Sequence, residues 1–344
     1  MTRLVRPTTA ADLRPLCKLF DAAGLHPNVG PQELEWKYWR PRGDWPGARS
    51  FLLTDEDDAL AHAAIVPGWC AQARQRARIG HLIDWAARPG AAGAGVALLK
   101  HIGQQVEALI AVGGSAETRQ ILPHIGFRPA GAVTGYVRPL FPRRLLSDGT
   151  IPAGRRLLRF ARNFRWLLAA PAARHTESRP LALAADDLRR IDPVLPRPAA
   201  GRTVIERSAA LFAYALACPI VPVRLFGVER SGRVRGYFLL ASAPGQVRIA
   251  DCWMDSAEPA DWRAMILCAV AEAQHDPQAA EVAIWASDPV LAQALAGCGF
   301  HARFELPVLL RSTHAGLMPR EPLRVQMLDS DAAFLHEGRP GYWA

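Results

Sequence analysis

The chain has 344 residues, half of them apolar and 8% aromatic, with a net charge of +9. That length leaves room for two domains, because one core rarely grows beyond about 250–300 residues. No run reaches the ~18 apolar residues a spanning helix requires. All but three of the 41 basic residues are arginine. With alanine so abundant, the charge reads as compositional bias, and the sequence lacks helix-turn-helix and aromatic RNA-binding patterns, which argues against a nucleic-acid partner. The opening segment lacks a secretory signal's long apolar stretch. Cys17, Cys70, Cys218, Cys252, Cys268 and Cys298 form no C-x-x-C pair, so buried free thiols in a reducing, cytoplasmic compartment are expected, with no metal.

Residues 3–7 read as a first strand, followed by a helix through Ala22 that Gly24 stops. An aromatic, charged segment lies between Asn28 and Pro46, containing Trp36, Lys37, Tyr38 and Trp39. Ser50–Thr54 and Leu60–Val66 read as a hairpin around the acidic turn Asp55-Glu56-Asp57-Asp58, a solvated loop. Ile79–Ala87 is a strand and leads into Arg88-Pro89-Gly90-Ala91-Ala92-Gly93-Ala94-Gly95. A helical pattern follows, with Val96, Leu99, Ile102, Gly103 and Val106 near helical spacing. Ala108–Val112 is another strand, followed by a short helix that ends at Gly126-Phe127, and Pro129–Leu140 carries Tyr136 on a last strand.

Strand, glycine loop and helix in that order make an anion cradle: glycines let backbone approach a phosphate, and free first-turn amides point at it. The glycine order is G-x-x-G-x-G, the reverse of the dinucleotide fingerprint, and no Gly-Lys-Ser/Thr follows for a Walker loop.

Residues 141–175 alternate arginines (143, 144, 155, 156, 159, 162 and 165) with Leu157, Leu158, Phe160, Phe164, Trp166 and Leu167. Such a basic amphipathic helix is expected to pack its apolar stripe on a neighbouring domain and leave its arginines in water. Peripheral contact with anionic lipid through 155–168 is the alternative.

The second half echoes the first. Arg179-Pro180 and Gly299-Phe300 lie 173 positions beyond Arg6-Pro7 and Gly126-Phe127, and Asp251 lies 167 beyond Asp84. Val223–Glu229 and Val234–Ala241 form a hairpin, and Val247–Met254, Trp262–Ala273 and Glu281–Ala286 follow as strand, helix and strand. Where the first half has its glycine loop, the second has Asp255-Ser256-Ala257-Glu258-Pro259-Ala260-Asp261. The three carboxylates there would repel a diphosphate, so an anion is expected only in the first half.

The spacing Pro89, Gly93-Ala94-Gly95, Leu98-Leu99 resembles motif A of the GNAT acyltransferases, as do Ile83-Asp84-Trp85 before it, Gly126-Phe127 after it and Arg6-Pro7 with Asp12-Leu13 at the start. The resemblance implies two tandem GNAT-like α/β (α+β) domains, each a mixed central sheet with splayed fourth and fifth strands flanked by helices. Their expected bounds are 1–140 and 177–344, joined by a linker of 141–176. It implies coenzyme A held at Trp85, Ala86, Ala87, Gly90, Gly93, Ala94, Gly95 and Val96, with acetyl-CoA or another acyl-CoA as co-substrate. It also implies an acceptor pocket near Trp36, Lys37, Tyr38 and Trp39. Three positions depart from the pattern: Gly90 stands where Gln or Arg is usual, Leu122 where the acidic Tyr often sits, and Ser115 where Asn often opens the helix. The tail Gln326-Met327-Leu328-Asp329-Ser330-Asp331 resembles tandem GNAT proteins found with bacterial exopolysaccharide genes.

N-acyl transfer from acetyl-CoA to an amino sugar or other small amine is the activity implied. Asp84 is the expected base, its pKa raised by desolvation. Ser115 and Tyr136 are expected to position or protonate the leaving thiolate, and His81 and His124 to be ordinary surface or core residues. A non-catalytic scaffold of polysaccharide assembly and an aminoacyl or peptidyl transferase are the rival readings. The sequence does not give the oligomeric state.

Overall fold

The computed structural model describes residues 3–25, 30–56, 58–72, 75–147, 151–172, 178–198, 203–313, 323–338 and 341–344. Asn28 and Asp57, named above, lie outside that set. In the first half, strands β1 (Arg3–Pro7), β2 (Ser50–Asp55), β3 (Asp58–Gln72), β4 (Gln75–Ala87) and β5 (Ala108–Val112) are laid down in that order. Helix α1 (Leu13–Ala23) follows β1, short α2 (Pro31–Leu34) continues into a π-helical turn at Glu35–Trp39, α3 (Ala94–Ile102) follows β4, and α4 (Ala116–His124) follows β5. Strand alternation assigns each side chain to a layer. Phe51, Leu53, Leu82, Leu109 and Ala111 pack under α3, whereas Leu52, Ala64 and Ile83 face α1 with its Leu16, Leu19 and Phe20. Gly24 ends α1 in the left-handed region at φ 65°.

After β6 (Arg128–Pro139) and α5 (Ala153–Ala169), the second half repeats the series as β7 (Ser178–Leu183), β8 (Thr203–Ile205), α6 (Ala209–Leu216), β9 (Val223–Arg230), β10 (Arg233–Ala243), β11 (Gln246–Met254), α7 (Pro259–Gln274), β12 (Glu281–Ala286), α8 (Pro289–Gly297) and β13 (His301–Ser312). All belong to one curled sheet in the order β1-β2-β3-β4-β5-β13-β6-β12-β11-β10-β9-β7, with β8 beside β3. The order reads alike from both ends, and its centre is an exchange. β13 pairs with β5 (Val308↔Val112), and β6 pairs with β12 (Tyr136↔Ile284). Each half thus completes its sheet with the other's last strand.

The orientation of α5 corrects one expectation. Three of its five arginines fold back over the protein: Arg156 donates to the Leu146 carbonyl at 3.0 Å, Arg159 to that of Ala344, and Arg162 lies over the Trp166 ring. Asn163 is fully buried, and Trp166 stacks on His301 at 3.8 Å. The leucine stripe therefore faces outward. The carbonyls of Leu146 and Ala344 need donors, and the arginines supply them.

The exchange makes the halves interdependent. Residues 1–147 expressed alone are expected to be insoluble, because β5 and β6 would present unpaired edges, and co-expression with 178–344 should restore a soluble complex. A soluble, cooperatively melting 1–147 fragment would refute this.

Candidate functional site

β4 and β5 run parallel through Ile79↔Ala108, Gly80↔Leu109 and His81↔Ile110 and then part. Beyond His81, β4 stays with β3, while β5 turns to β13. A V opens between Leu82–Ala87 and the end of β5. Within it β4 carries a bulge: the register with β3 shifts between His62 and Ala64, and Asp84 sits at φ 47°. Such a bulge re-aims backbone groups at the mouth of the gap. Past the bulge the chain makes two successive turns, Ala91 N–H to Arg88 O at 3.0 Å and Ala94 N–H to Ala91 O at 3.1 Å. Gly93 (φ 75°) caps α3 in a conformation that side chains disfavour. Gly95 is small for another reason: a Cβ there would sit 2.8 Å from Trp85 Nε1, which donates to the Gly95 carbonyl at 3.1 Å. The amides of Gly93, Gly95 and Val96 have no acceptor among the described residues, so the first turn of α3 points open donors beside the V.

Trp85 and Val96 are half-buried and Gly90 and Gly93 exposed at this mouth, Ala94 is buried, Ala87 lies at its edge, and Ala86 turns its side chain into the layer beneath α1. Ser115 is exposed at the head of α4, where its Oγ accepts from Thr118 N–H at 3.2 Å. Tyr136 is not at this gap. The strand exchange puts it between Ile284 of β12 and Ala302 of β13, and β13 takes the place beside β5 that the sequence assigns to its own half.

Asp84 is present but committed. Its Oδ2 accepts from Tyr38 OH at 2.6 Å and lies 2.5 Å from Lys37 Nζ, which also lies 2.5 Å from Asp331. Burial would raise the Asp84 pKa, but the Lys37 charge and the hydrogen bonds from Lys37 and Tyr38 outweigh it and hold the carboxylate below its usual range. This corrects the expected raised pKa: an ion-paired carboxylate is a poor base. Asp331 is shifted the other way, raised by burial, against the attraction of Lys37 and with the help of the Asp84 charge. The neighbouring aromatics are equally engaged. Trp36 stacks on Tyr214 at 4.6 Å, and Trp39 Nε1 donates to Thr8 Oγ1 at 2.9 Å. Trp36 and Lys37 therefore face the second half and the tail around a void of about 20 Å³, while Tyr38 and Trp39 hold the first half together.

A twin cluster occupies the second half. Arg207 bridges Asp251 at 2.8 Å and Asp329 at 2.7 Å, and Tyr237 OH donates to Asp251 at 2.8 Å. Asp251 stands on β11 as Asp84 stands on β4, and both clusters draw their last carboxylate from one tail segment. β11 and β12 also part, after Ile249↔Ile284, but this gap is filled. Cys252 N–H donates to Gln326 Oε1 at 2.9 Å and Gln326 Nε2 to Cys252 O at 2.9 Å. Val325 N–H meets Ser287 Oγ at 2.8 Å on the far side. Arg324 lies between Trp253 (4.4 Å) and Trp262 (4.8 Å) beside the first turn of α7, and Asp261 in that turn pairs with Arg230.

A cavity of about 280 Å³ lies on the face of β4 opposite α3. His81 and Ile110, the last pair before the V, line it together with Trp69, Arg207 and Asp329. Two ion pairs, Arg42–Asp44 and Arg76–Glu206, stand on its wall. His81 is 5% exposed. Its Nδ1 has no partner among the described residues. Burial lowers its pKa to about 4, so the imidazole is neutral near pH 7. His81 is a buried core histidine, as the sequence suggests, whereas no sequence pattern singles out Arg207. The 167-residue echo of Asp84 in Asp251 was the available signal for the second cluster. Among the described residues, no group of three or more His, Cys, Asp or Glu side chains could hold a metal.

No protein-family model matches the chain, and no curated protein does. Solved structures resemble it. Saccharomyces cerevisiae N-myristoyltransferase with bound myristoyl-CoA and inhibitors superimposes at TM-score 0.63 with 13% identity, over 93% of this chain and 81% of that one. A probable N-acyltransferase from Enterococcus faecalis gives 0.58 and 13%, over 91% and 72%, and a GCN5-related N-acetyltransferase from Anabaena variabilis gives 0.58 and 12%, over 91% and 73%. The chain therefore has the GNAT fold.

Two outcomes test the electrostatics. Lys37→Met should destabilise the chain by about 3–5 kcal/mol in chemical denaturation, because two buried carboxylates lose their shared cation. Adding Asp84→Asn and Asp331→Asn should recover much of that loss. His62, like His81, is lowered by burial to about 4 from an ordinary 6.5. Folding then binds fewer protons than the unfolded chain does, so stability is full above pH 6.5 and is lost as pH falls toward 4, by about 3 kcal/mol per histidine. The melting temperature should drop across that window, less steeply in His81→Asn.

Proposed function

We propose that this chain is an acyl-CoA-dependent N-acyltransferase, with acetyl-CoA as the expected donor and an amino sugar or another small amine as acceptor. The supporting observation is the V beyond His81 and Ile110, with open helix amides on one side and a polar cavity on the other. In this reading the halves are tandem copies, 1–140 and 177–344, joined by 141–176. The diphosphate lies on the amides of Gly93, Gly95 and Val96, and the pantetheine arm runs through the V past Ser115. The thioester carbonyl meets backbone N–H at the Asp84–Trp85 bulge.

The acceptor enters from the opposite face. A cavity lined by paired charges and one indole suits a small hydroxylated amine better than an apolar chain. The amine nitrogen attacks the carbonyl carbon, the C–N bond forms, the C–S bond breaks, and the thiolate leaves to take up a proton. His81 Nδ1 is the acceptor that orients the amine N–H. A neutral imidazole of such low pKa does not strip an ammonium, so the amine reacts from its uncharged form.

A second reading is a non-catalytic scaffold of polysaccharide assembly. It is favoured by Leu122, which is fully buried where an acidic Tyr would stand.

Calorimetry should show acetyl-CoA binding to the whole chain, and Gly93→Val should abolish it; absence of binding to the unaltered chain ends the proposal. Across an amine panel, thiol release should rise with pH up to the amine's own pKa. His81→Ala should lower kcat/KM by about 10²-fold while donor affinity is retained. Binding without release for any amine would favour the scaffold.

A further inference from the structure

The described residues leave six large hydrophobic side chains exposed, and four of them lie on α5: Leu157 (62%), Leu158 (75%), Phe164 (47%) and Leu168 (72%). With Ala161 they occupy one face at helical spacing, over about 16 Å of axis. The opposite face is held down by Arg156, Arg159, Arg162, Asn163 and Trp166, as described above. The stripe therefore has no partner among the described residues, and the helix cannot roll it inward without breaking those bonds. Polarity of this kind is the inverse of a helix docked on its own protein.

Charge decides the occupant. α5 carries five arginines and no acid, and the sequence has no acid between Asp148 and Glu177. Arg155 and Arg165 are exposed at the margins of the stripe, as is Arg143 in the preceding turn. A second copy docked face to face would bring two such arginine sets together, whereas a surface of anionic headgroups over acyl chains matches both the rim and the stripe. No helix among the described residues is long and apolar enough to cross a membrane, so the mode is lying on the surface rather than spanning it.

We infer that α5 docks the protein on an anionic lipid surface, with Leu157, Leu158, Phe164 and Leu168 in the acyl boundary and Arg155 and Arg165 at the headgroups. The test is sedimentation of the whole chain with vesicles of phosphatidylcholine containing about one third phosphatidylglycerol. The unaltered chain should pellet with these and at least about tenfold less with phosphatidylcholine alone. Leu158→Glu/Leu168→Glu, at two side chains already in water, should keep the melting temperature and lose about tenfold or more in vesicle binding. Arg155→Gln/Arg165→Gln should weaken binding and its salt dependence together. Equal pelleting of the leucine variant, or no pelleting of the unaltered chain, overturns the inference. A dimer that the leucine variant dissolves, without vesicle binding, overturns it in favour of a second copy.

Discussion

A cation shared between two buried carboxylates is the constraint on which the architecture turns, and it occurs twice. Lys37 holds Asp84 to Asp331, and Arg207 holds Asp251 to Asp329. Burying such groups is costly, and an apolar replacement could match their stability. What they add is position. Asp329 and Asp331 stand two residues apart on one tail, and each must find its own cation on a different half. A tail displaced by one residue would satisfy neither cluster and leave charges stranded at the sheet centre.

Fixing the tail in that register separates the fates of two similar folds. Gln326 presents an amide to both backbone groups of Cys252, much as a neighbouring strand would, and Val325 reaches Ser287 across the gap. The second V is thus closed by this chain's own polar groups, and Arg324 occupies the space beside α7. The first V has no such bridge among the described residues. The same segment seals the void around Trp36 and Lys37, yet leaves the cavity under His81, with Asp329 in its wall. One stretch of chain bridges the gap in one half and lines the cavity beside the gap in the other.

The parts legible in the sequence were local ones. A glycine loop between strand and helix declares itself because φ > 0 at Gly93 and the close approach of Trp85 to Gly95 both need residues without a side chain. The 173-residue echo points to a second half with a similar order of elements, which the strand order matches. Long-range pairing was invisible. Nothing in Pro129–Leu140 or His301–Ser312 says that the two final strands trade places, so Tyr136 was assigned to the wrong gap. The chemistry of Asp84 depends on Lys37 and Tyr38, more than 40 positions away in the chain, and desolvation alone gives the opposite sign.

The helix between the halves shows a further limit of pattern reading. Amphipathic spacing at 155–168 identifies two faces, but not which one meets the protein. Packing leucines inward is the usual solution when the neighbouring surface is apolar. Here that surface offers the carbonyls of Leu146 and Ala344, the ring of Tyr342 and a buried Asn163, all of which favour guanidinium groups over methyls. Arginine has the reach to satisfy them while its stem covers the apolar floor. The helix therefore turns these donors toward the turn before it and the C-terminal residues, and sends four large apolar side chains outward.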